Sequence, residues 1–154
     1  MDKQTFVLTQ EGYDKIVAEL DIFQKEKRPK AVARLKAARE MGDLSENSEY
    51  HAAKEELGYV DGRIQEIEET LKNTQIVTHN AHLTKVAVGN MVTVLVHNKK
   101  ELFSMVGELE SNITEGKLSH KSPIGMALIG KGKGDVVKIT VPSGVVEYKI
   151  LDIA

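Results

Sequence analysis

The feature that most constrains this chain of 154 residues is an apolar repeat in its first half. Between residues 50 and 71, apolar side chains are spaced alternately by three and by four positions. They are Tyr50, Ala53, Leu57, Val60, Ile64, Ile67 and Leu71. This is the spacing of a coiled-coil seam, so the segment predicts a long helix that packs against another helix. Gly58 and Gly62 cost about 1 kcal/mol each relative to Ala, which packing along the seam must offset.

The second helix is predicted directly before the repeat. Thr9 is a good N-cap, and the residues that follow it carry apolar side chains at helical spacing. These are Tyr13, Ile16, Leu20 and Phe23. Pro29 removes a backbone hydrogen bond and should kink the helix or begin a new one. The face resumes, shifted by one position, at Arg28, Ala31, Leu35 and Ala38. Since the helix stops at Gly42, we expect an antiparallel helical hairpin with a short turn. Helices of about 30 residues would make an arm of roughly 45 Å, whose physical use is reach.

The chain changes character near residue 78, where short β-type runs replace the helical pattern. Ser122 is an N-cap followed by Pro123, so a short helix is predicted to Ile129, ended by Gly130. The predicted strands are Val86–Val88, Met91–Val96, Leu102–Leu109 and a hairpin of Val136–Val141 with Val145–Ile153. The fold class expected is therefore α+β. An N-terminal coiled-coil hairpin would occupy residues 1–78, a linker 79–85, and a mainly antiparallel sheet with one short helix 86–154.

Composition excludes several kinds of site. The chain has no cysteine, which rules out disulfides, cysteine-ligated zinc and thiol catalysis. Its net charge of −2 gives no reason to expect nucleic-acid binding from bulk charge alone. No apolar run approaches the roughly 18 residues of a membrane span, and the N-terminus does not read as a signal peptide. We therefore expect a soluble cytoplasmic protein without a membrane partner.

Two carboxylates, Asp43 and Glu46, are predicted to lie at the turn of the hairpin. One interpretation is structural, because Asp-x-x-Glu is a capping box and negative charge suits a helix N-terminus. The other is chemical. Magnesium takes oxygen ligands, so two carboxylates at the end of an arm can complete a metal site that another protein builds. Such a site can generate and orient a hydroxide for attack on a phosphodiester. The two interpretations are compatible.

Charge is unevenly distributed along the predicted arm. The ascending helix carries a dense basic run within fifteen residues, and the descending helix is rich in Glu. The basic residues are Lys25, Lys27, Arg28, Lys30, Arg34, Lys36 and Arg39. They either form ion pairs between the helices or make a basic stripe that guides RNA toward the tip, since phosphates bind cations.

Two long segments carry a resemblance to a known family. Residues 27–64, KRPKAVARLKAAREMGDLSENSEYHAAKEELGYVDGRI, resemble the first signature of the GreA/GreB transcript-cleavage factors. Residues 122–137, SPIGMALIGKGKGDVV, resemble the second. The likeness extends over essentially the full chain, and the run His51–Lys54 is more similar to GreA than to GreB.

The resemblance implies an FKBP-like C-terminal domain and a role as an accessory factor rather than an enzyme. It implies a monomer that docks at the rim of the secondary channel of bacterial RNA polymerase, with its arm reaching the 3′ end of backtracked RNA. Asp43 and Glu46 would be the catalytic pair, sharing Mg²⁺ with the polymerase, and no cofactor would bind stably to the protein alone. Arg39 and Lys54 would contact the RNA. The polymerase-docking residues would be Ser122, Pro123, Ile124 and Gly125.

Two other functions stay open. An FKBP-like half could be a prolyl isomerase or chaperone, but such a pocket needs an aromatic lining, and after residue 80 only Phe103 and Tyr148 are aromatic. A coiled-coil adaptor, or an inhibitor that blocks the same channel, would have no use for the carboxylates at the tip.

Overall fold

The computed structural model describes residues 3–43, 46–80 and 84–154. Leu44 and Ser45 at the predicted turn, and residues 81–83 of the predicted linker, lie outside the described part. The elements are β1 (Phe6–Thr9), α1 (Gln10–Ile22), α2 (Arg28–Glu40), α3 (Ser48–Lys72), β2 (Thr74–Val77), β3 (Met91–Val96), β4 (Lys99–Val106), β5 (Lys117–Ser119), α4 (Pro123–Leu128), β6 (Val136–Val141) and β7 (Gly144–Ile153). None of the helices in these ranges is long and apolar enough to cross a membrane.

The chain divides into two compact units, a helical one over Asp14–Asn73 and a sheet unit that contains the rest. In the helical unit, α3 confirms the predicted seam. Ala53, Val60 and Ile67 are buried in it, and the seam residues between them are half-buried. The core of this unit also takes Phe23 and Ala31 from the preceding helical segment, so the two sides of the hairpin pack against each other.

The shift of the apolar face before Pro29 has a structural cause. Residues Phe23–Lys27 form a π-helical turn between α1 and α2, and the Arg28 N–H donates to the Phe23 carbonyl, five residues back. A π turn holds one residue more than an α turn, so it rotates the following face by one position. Pro29 lies in the first turn of α2, where a missing N–H is tolerated, and the helical backbone continues through it.

The sheet unit contains a five-stranded mixed sheet in the order β5-β4-β3-β7-β6. All neighbours are antiparallel except β4 and β5, which are parallel. The β6–β7 hairpin and α4 confirm the predictions for these segments. Val86–Val88 is not a strand, because the Val86 N–H and carbonyl bond to Lys131 and Gly130, in the loop after α4. The fold class, α+β with a helical hairpin and a sheet domain, is confirmed.

The strands at the base of the hairpin were not predicted. β1 and β2 pair in parallel, from Phe6 with Thr74 to Thr9 with Val77. Both belong to the sheet unit, so the two compact units divide at residues 13 and 73. β1 belongs to the sheet unit because the loop after β4 packs against it. The Thr9 N–H donates to the Glu110 carboxylate at 2.9 Å, and Gly107 lies so close to β1 that a Cβ there would be 1.6 Å from the Val7 carbonyl oxygen.

Candidate functional site at the hairpin tip

The turn between α2 and α3 is reached through left-handed backbone. Beyond Glu40, the Gly42 N–H donates to the Arg39 carbonyl at 3.2 Å. Gly42 and Asp43 then adopt φ angles of 78° and 41°. Gly takes this conformation at little cost, and Asp is among the side chains that tolerate it best. The Glu46 N–H donates back to the Asp43 carbonyl at 3.3 Å, which folds the turn on itself.

The helix cap is Asn47, and the predicted capping box is wrong. α3 begins at Ser48, and the Asn47 side chain accepts the Tyr50 N–H at 3.0 Å. Asn is as good an N-cap as Asp, and Asn47 stands directly before the first helical residue, so Asp43 and Glu46 lie ahead of the helix. Both residues are exposed. The sequence contained the signal for Asn47, but the Asp-x-x-Glu pattern obscured it.

Part of the basic run forms ion pairs between the helices. The Arg34 guanidinium lies 2.7 Å from Glu49 and 2.5 Å from Glu56, and Arg28 lies 2.7 Å from Asp61. The hydrogen bond from Arg34 holds the pKa of Glu49 below its ordinary value. Bonding to Glu49, and then to Glu56, raises the pKa of Arg34. For these arginines the ion-pair interpretation is confirmed.

Arg39 and Lys54 differ from these arginines, because neither forms an ion pair with any residue in the described ranges. Both side chains are exposed. The Arg39 guanidinium lies 6.0 Å from the centre of the Tyr50 ring. Tyr50 and Lys54 are four residues apart on α3 and therefore neighbours on one face. The structure thus places Arg39 beside the Tyr50 ring and Lys54 one turn farther along α3, both near the turn with the two carboxylates.

The seam between the helices becomes smaller toward the turn. Near the base it contains Phe23 and Ile67 and at the middle of α3 Val60, whereas nearer the tip the buried residues are alanines. These are Ala31, Ala38 and Ala53, each at most 1% exposed. Interhelical distance depends on the side chains at the contact, so alanines let two helices pack closely.

The second predicted segment, Ser122–Gly125, forms the start of α4. The Ser122 hydroxyl accepts the Gly125 N–H at 3.0 Å and donates to the Ser119 carbonyl at 2.7 Å. Gly125 is buried, and Ile124 packs partly against the core of the sheet unit. Pro123 is exposed, as is Met126 at 62%. Ser122 and Gly125 therefore shape this segment, while Pro123 presents a surface.

Comparison with known proteins agrees with the geometry. A family model described as "Transcription elongation factor, N-terminal" matches residues 6–76, and one described as "Transcription elongation factor, GreA/GreB, C-term" matches residues 80–154. The chain belongs to the GreA/GreB transcription elongation factor family. Similar relatives include the transcription elongation factor GreA of Staphylococcus epidermidis, 41% identical over 93% of this chain and 92% of its own. The GreA of Lactococcus lactis is 42% identical over 98% and 99%.

A solved structure is also similar to this GreA/GreB family member. It is that of GreA factor homolog 1 from Thermus thermophilus, at 26% identity and a TM-score of 0.46, covering 98% of this chain and 99% of the other. The two family models meet between residues 76 and 80, whereas the compact units meet at residues 13 and 73. The difference is the β1–β2 pair, which joins the two ends of the helical segment within the sheet unit.

The sheet unit of this family member contains an open cavity of about 460 Å³. The described residues that line it include Val77, Met91 and Val106 together with several polar side chains, but no Phe, Tyr or Trp. Phe103 and Tyr148 instead pack partly against the core. This cavity therefore lacks the aromatic lining that proline recognition needs, which disfavours the isomerase alternative.

Proposed function

We propose that this elongation factor binds bacterial RNA polymerase and stimulates cleavage of the 3′ end of backtracked RNA. The sheet unit docks at the rim of the secondary channel, and the arm delivers Asp43 and Glu46 to the active site. The observation that carries the proposal is the place of the two acids, because α3 is capped by Asn47 and both acids lie in the turn before it. Their carboxylates are exposed at a turn that precedes the helix.

The chemistry follows from the ligand preference of the metal. Mg²⁺ shared with the polymerase would activate the attacking water and stabilise the leaving oxygen. Asp43 and Glu46 can contribute only part of an octahedral oxygen shell, so the polymerase must supply the remaining ligands. The factor is accordingly an accessory to the nuclease activity of the polymerase. It binds no cofactor stably by itself and acts as a monomer in the cytoplasm.

The neighbouring cations fit the same function. Arg39 and Lys54 are exposed beside the turn and make no ion pair in the described ranges, so they can contact phosphates of the extruded RNA. In the sheet unit, Pro123 would contact the polymerase. Ser122 and Gly125 fix the start of α4 that carries it, and Ile124 packs partly against the core.

The test uses a stalled, backtracked polymerase complex with Mg²⁺ and the variant Asp43→Asn/Glu46→Gln. Asn tolerates the left-handed backbone at residue 43. We expect the free energy of unfolding to change by less than about 1 kcal/mol, with the lost helix-dipole interaction as the main cost. Cleavage should nearly vanish while polymerase binding persists, because neutral amides are poor magnesium ligands.

The matched control is Glu55→Gln/Glu69→Gln, which neutralises two exposed carboxylates elsewhere on α3. It should cleave like the wild type. Free RNA incubated with the purified factor and Mg²⁺ should remain intact. Wild-type cleavage by the tip variant would refute the proposed function, and so would metal-dependent cleavage of free RNA by the factor alone.

A further inference from the structure

One side chain, Asn47, connects both helices and the turn between them. Its oxygen accepts the Tyr50 N–H at 3.0 Å in the first turn of α3. Its side-chain nitrogen donates to the Ala38 carbonyl at 2.9 Å and to the Gly42 carbonyl at 3.4 Å. Ala38 belongs to the last turn of α2, and its carbonyl also accepts the Met41 N–H at 3.3 Å. The half-buried Asn47 amide therefore forms hydrogen bonds to α2, to the turn and to α3.

The two ends of the Asn47 amide serve different purposes. A helix cap needs only an acceptor, which the oxygen provides. The two contacts of the nitrogen add nothing to the cap of α3, since they run to α2 and to the turn. They enclose the segment that bears the carboxylates, because Gly42 directly precedes Asp43 and Asn47 directly follows Glu46.

We infer that Asn47 is a positioning residue that sets the place of Asp43 and Glu46 for catalysis, an inference that rests on the function proposed above. Asp43 adopts a left-handed φ of 41°, which persists only when the surrounding structure holds it. The bonds from Asn47 to Gly42 and Ala38 contribute to that hold, together with the bond from the Glu46 N–H to the Asp43 carbonyl. Displacement of a catalytic group by about 1 Å can reduce a rate about a hundredfold, so the loss of this hold should be visible in cleavage.

Two substitutions separate the role of Asn47 as the cap of α3 from its hydrogen bonds to α2 and the turn. Asn47→Asp keeps a cap oxygen at the same length but has no N–H to donate to Ala38 and Gly42. Asn47→Ser keeps a shorter cap without adding charge, and Ser, Asp and Asn are comparable N-caps. The control is Asn73→Ser at the opposite end of α3, where the Asn73 side-chain nitrogen donates to the Glu69 carbonyl at 2.9 Å.

The experiment measures cleavage in the backtracked complex as a function of factor concentration and of Mg²⁺ concentration, together with the helical content and melting temperature of each free variant. Both Asn47 variants should retain the helicity and the half-saturating factor concentration of the wild type. Their maximal rate should fall by about tenfold or more, and the Mg²⁺ concentration at half-maximal rate should rise. Asn73→Ser should resemble the wild type in all of these quantities.

The inference is overturned if both Asn47 variants cleave at the wild-type rate with unchanged Mg²⁺ dependence. It is also overturned if the lost rate follows lost helicity, because Asn47 would then be a cap only. Backbone NMR of the free factor provides a readout that does not depend on the proposed function. If the wild type fails to stimulate cleavage, that function falls, whereas unchanged Asp43 and Glu46 resonances in Asn47→Asp would refute the positioning role.

Discussion

Arg34 on α2 donates two hydrogen bonds to the Glu49 carboxylate on α3. Its Nε lies 2.7 Å from Oε1, and one of its two terminal nitrogens lies 3.1 Å from Oε2. The second terminal nitrogen of the same guanidinium reaches Glu56 at 2.5 Å. One planar side chain thus links α2 to two glutamates that lie about two turns apart on α3. Lys cannot reproduce this contact, since it presents a point charge rather than a fork.

This contact predicts a pH dependence for the arm. Arg34 lowers the pKa of Glu49 from the ordinary value of 4.5, so the unfolded chain binds more protons than the folded one in the acid range. The stabilisation is present above pH 4.5 and is lost as pH falls through the lower folded-state pKa. We expect Glu49→Gln to melt slightly below the wild type at pH 7, a small effect because the pair is exposed. Melting curves between pH 7 and 3 should show the difference shrinking on acidification, and a constant difference would contradict it.

Arg39→Ala and Lys54→Ala should each weaken cleavage by weakening engagement of the RNA. Each lost contact with a single-stranded phosphate should reduce the slope of log affinity against log salt by about 0.7. The measurement is a salt titration of cleavage in the backtracked complex. Lys72→Ala, at the end of α3 farthest from the tip, serves as the control. The RNA-binding prediction fails if Arg39→Ala and Lys54→Ala both follow the wild type at every salt concentration.

Gly58→Ala should stabilise the arm. A Cβ at Gly58 would meet no atom within 4 Å, and the residue lies inside α3, so Ala adds helix propensity without a clash. The expected gain is about 0.5–1 kcal/mol in the free energy of unfolding. Denaturant unfolding followed by circular dichroism measures it. A loss of stability would show that the glycine is needed in the folded arm.

Gly125→Ala should have the opposite effect on the sheet unit. A Cβ at Gly125 would lie 1.9 Å from the Ser119 carbonyl oxygen, and backbone cannot yield as a flexible side chain does. We expect destabilisation of about 1–3 kcal/mol or more, with displacement of α4. The melting temperature and the affinity for polymerase should fall together. Pro123→Ala should instead weaken binding while leaving the melting temperature unchanged, which distinguishes the exposed surface from its support.

The parts of the fold that sequence predicts best are those with local periodicity. The seam from Tyr50 to Leu71 identified α3 because its pattern repeats over many turns, and Ser122 with Pro123 identified α4 from adjacent residues. The phase shift before Pro29 was visible, but its cause, a π turn, depends on the packing of Phe23. Parallel pairing of β1 with β2 was missed because each strand has four residues and its partner lies beyond the whole hairpin.

At the tip, sequence predicted the position of Asp43 and Glu46 but not the residue that organises them. The capping-box pattern fits the same letters, and only the start of α3 at Ser48 decides between Asp43 and Asn47 as the cap. Among the basic residues, composition could not separate Arg34, which is bonded to two glutamates, from Arg39, which is not. That distinction depends on which helical faces meet.

The parallel β1–β2 pair also has a consequence for the order of folding. Thr9 and Val77 are partners although the entire hairpin separates them along the chain. Closing so long a loop in an unstructured chain would cost conformational entropy before any contact rewarded it. An antiparallel helical hairpin returns its two ends to the same place through local contacts alone, and local contacts form fastest. We therefore expect the helical hairpin to form first and β1 to pair with β2 afterwards. A mutation in the seam would then delay completion of the sheet unit.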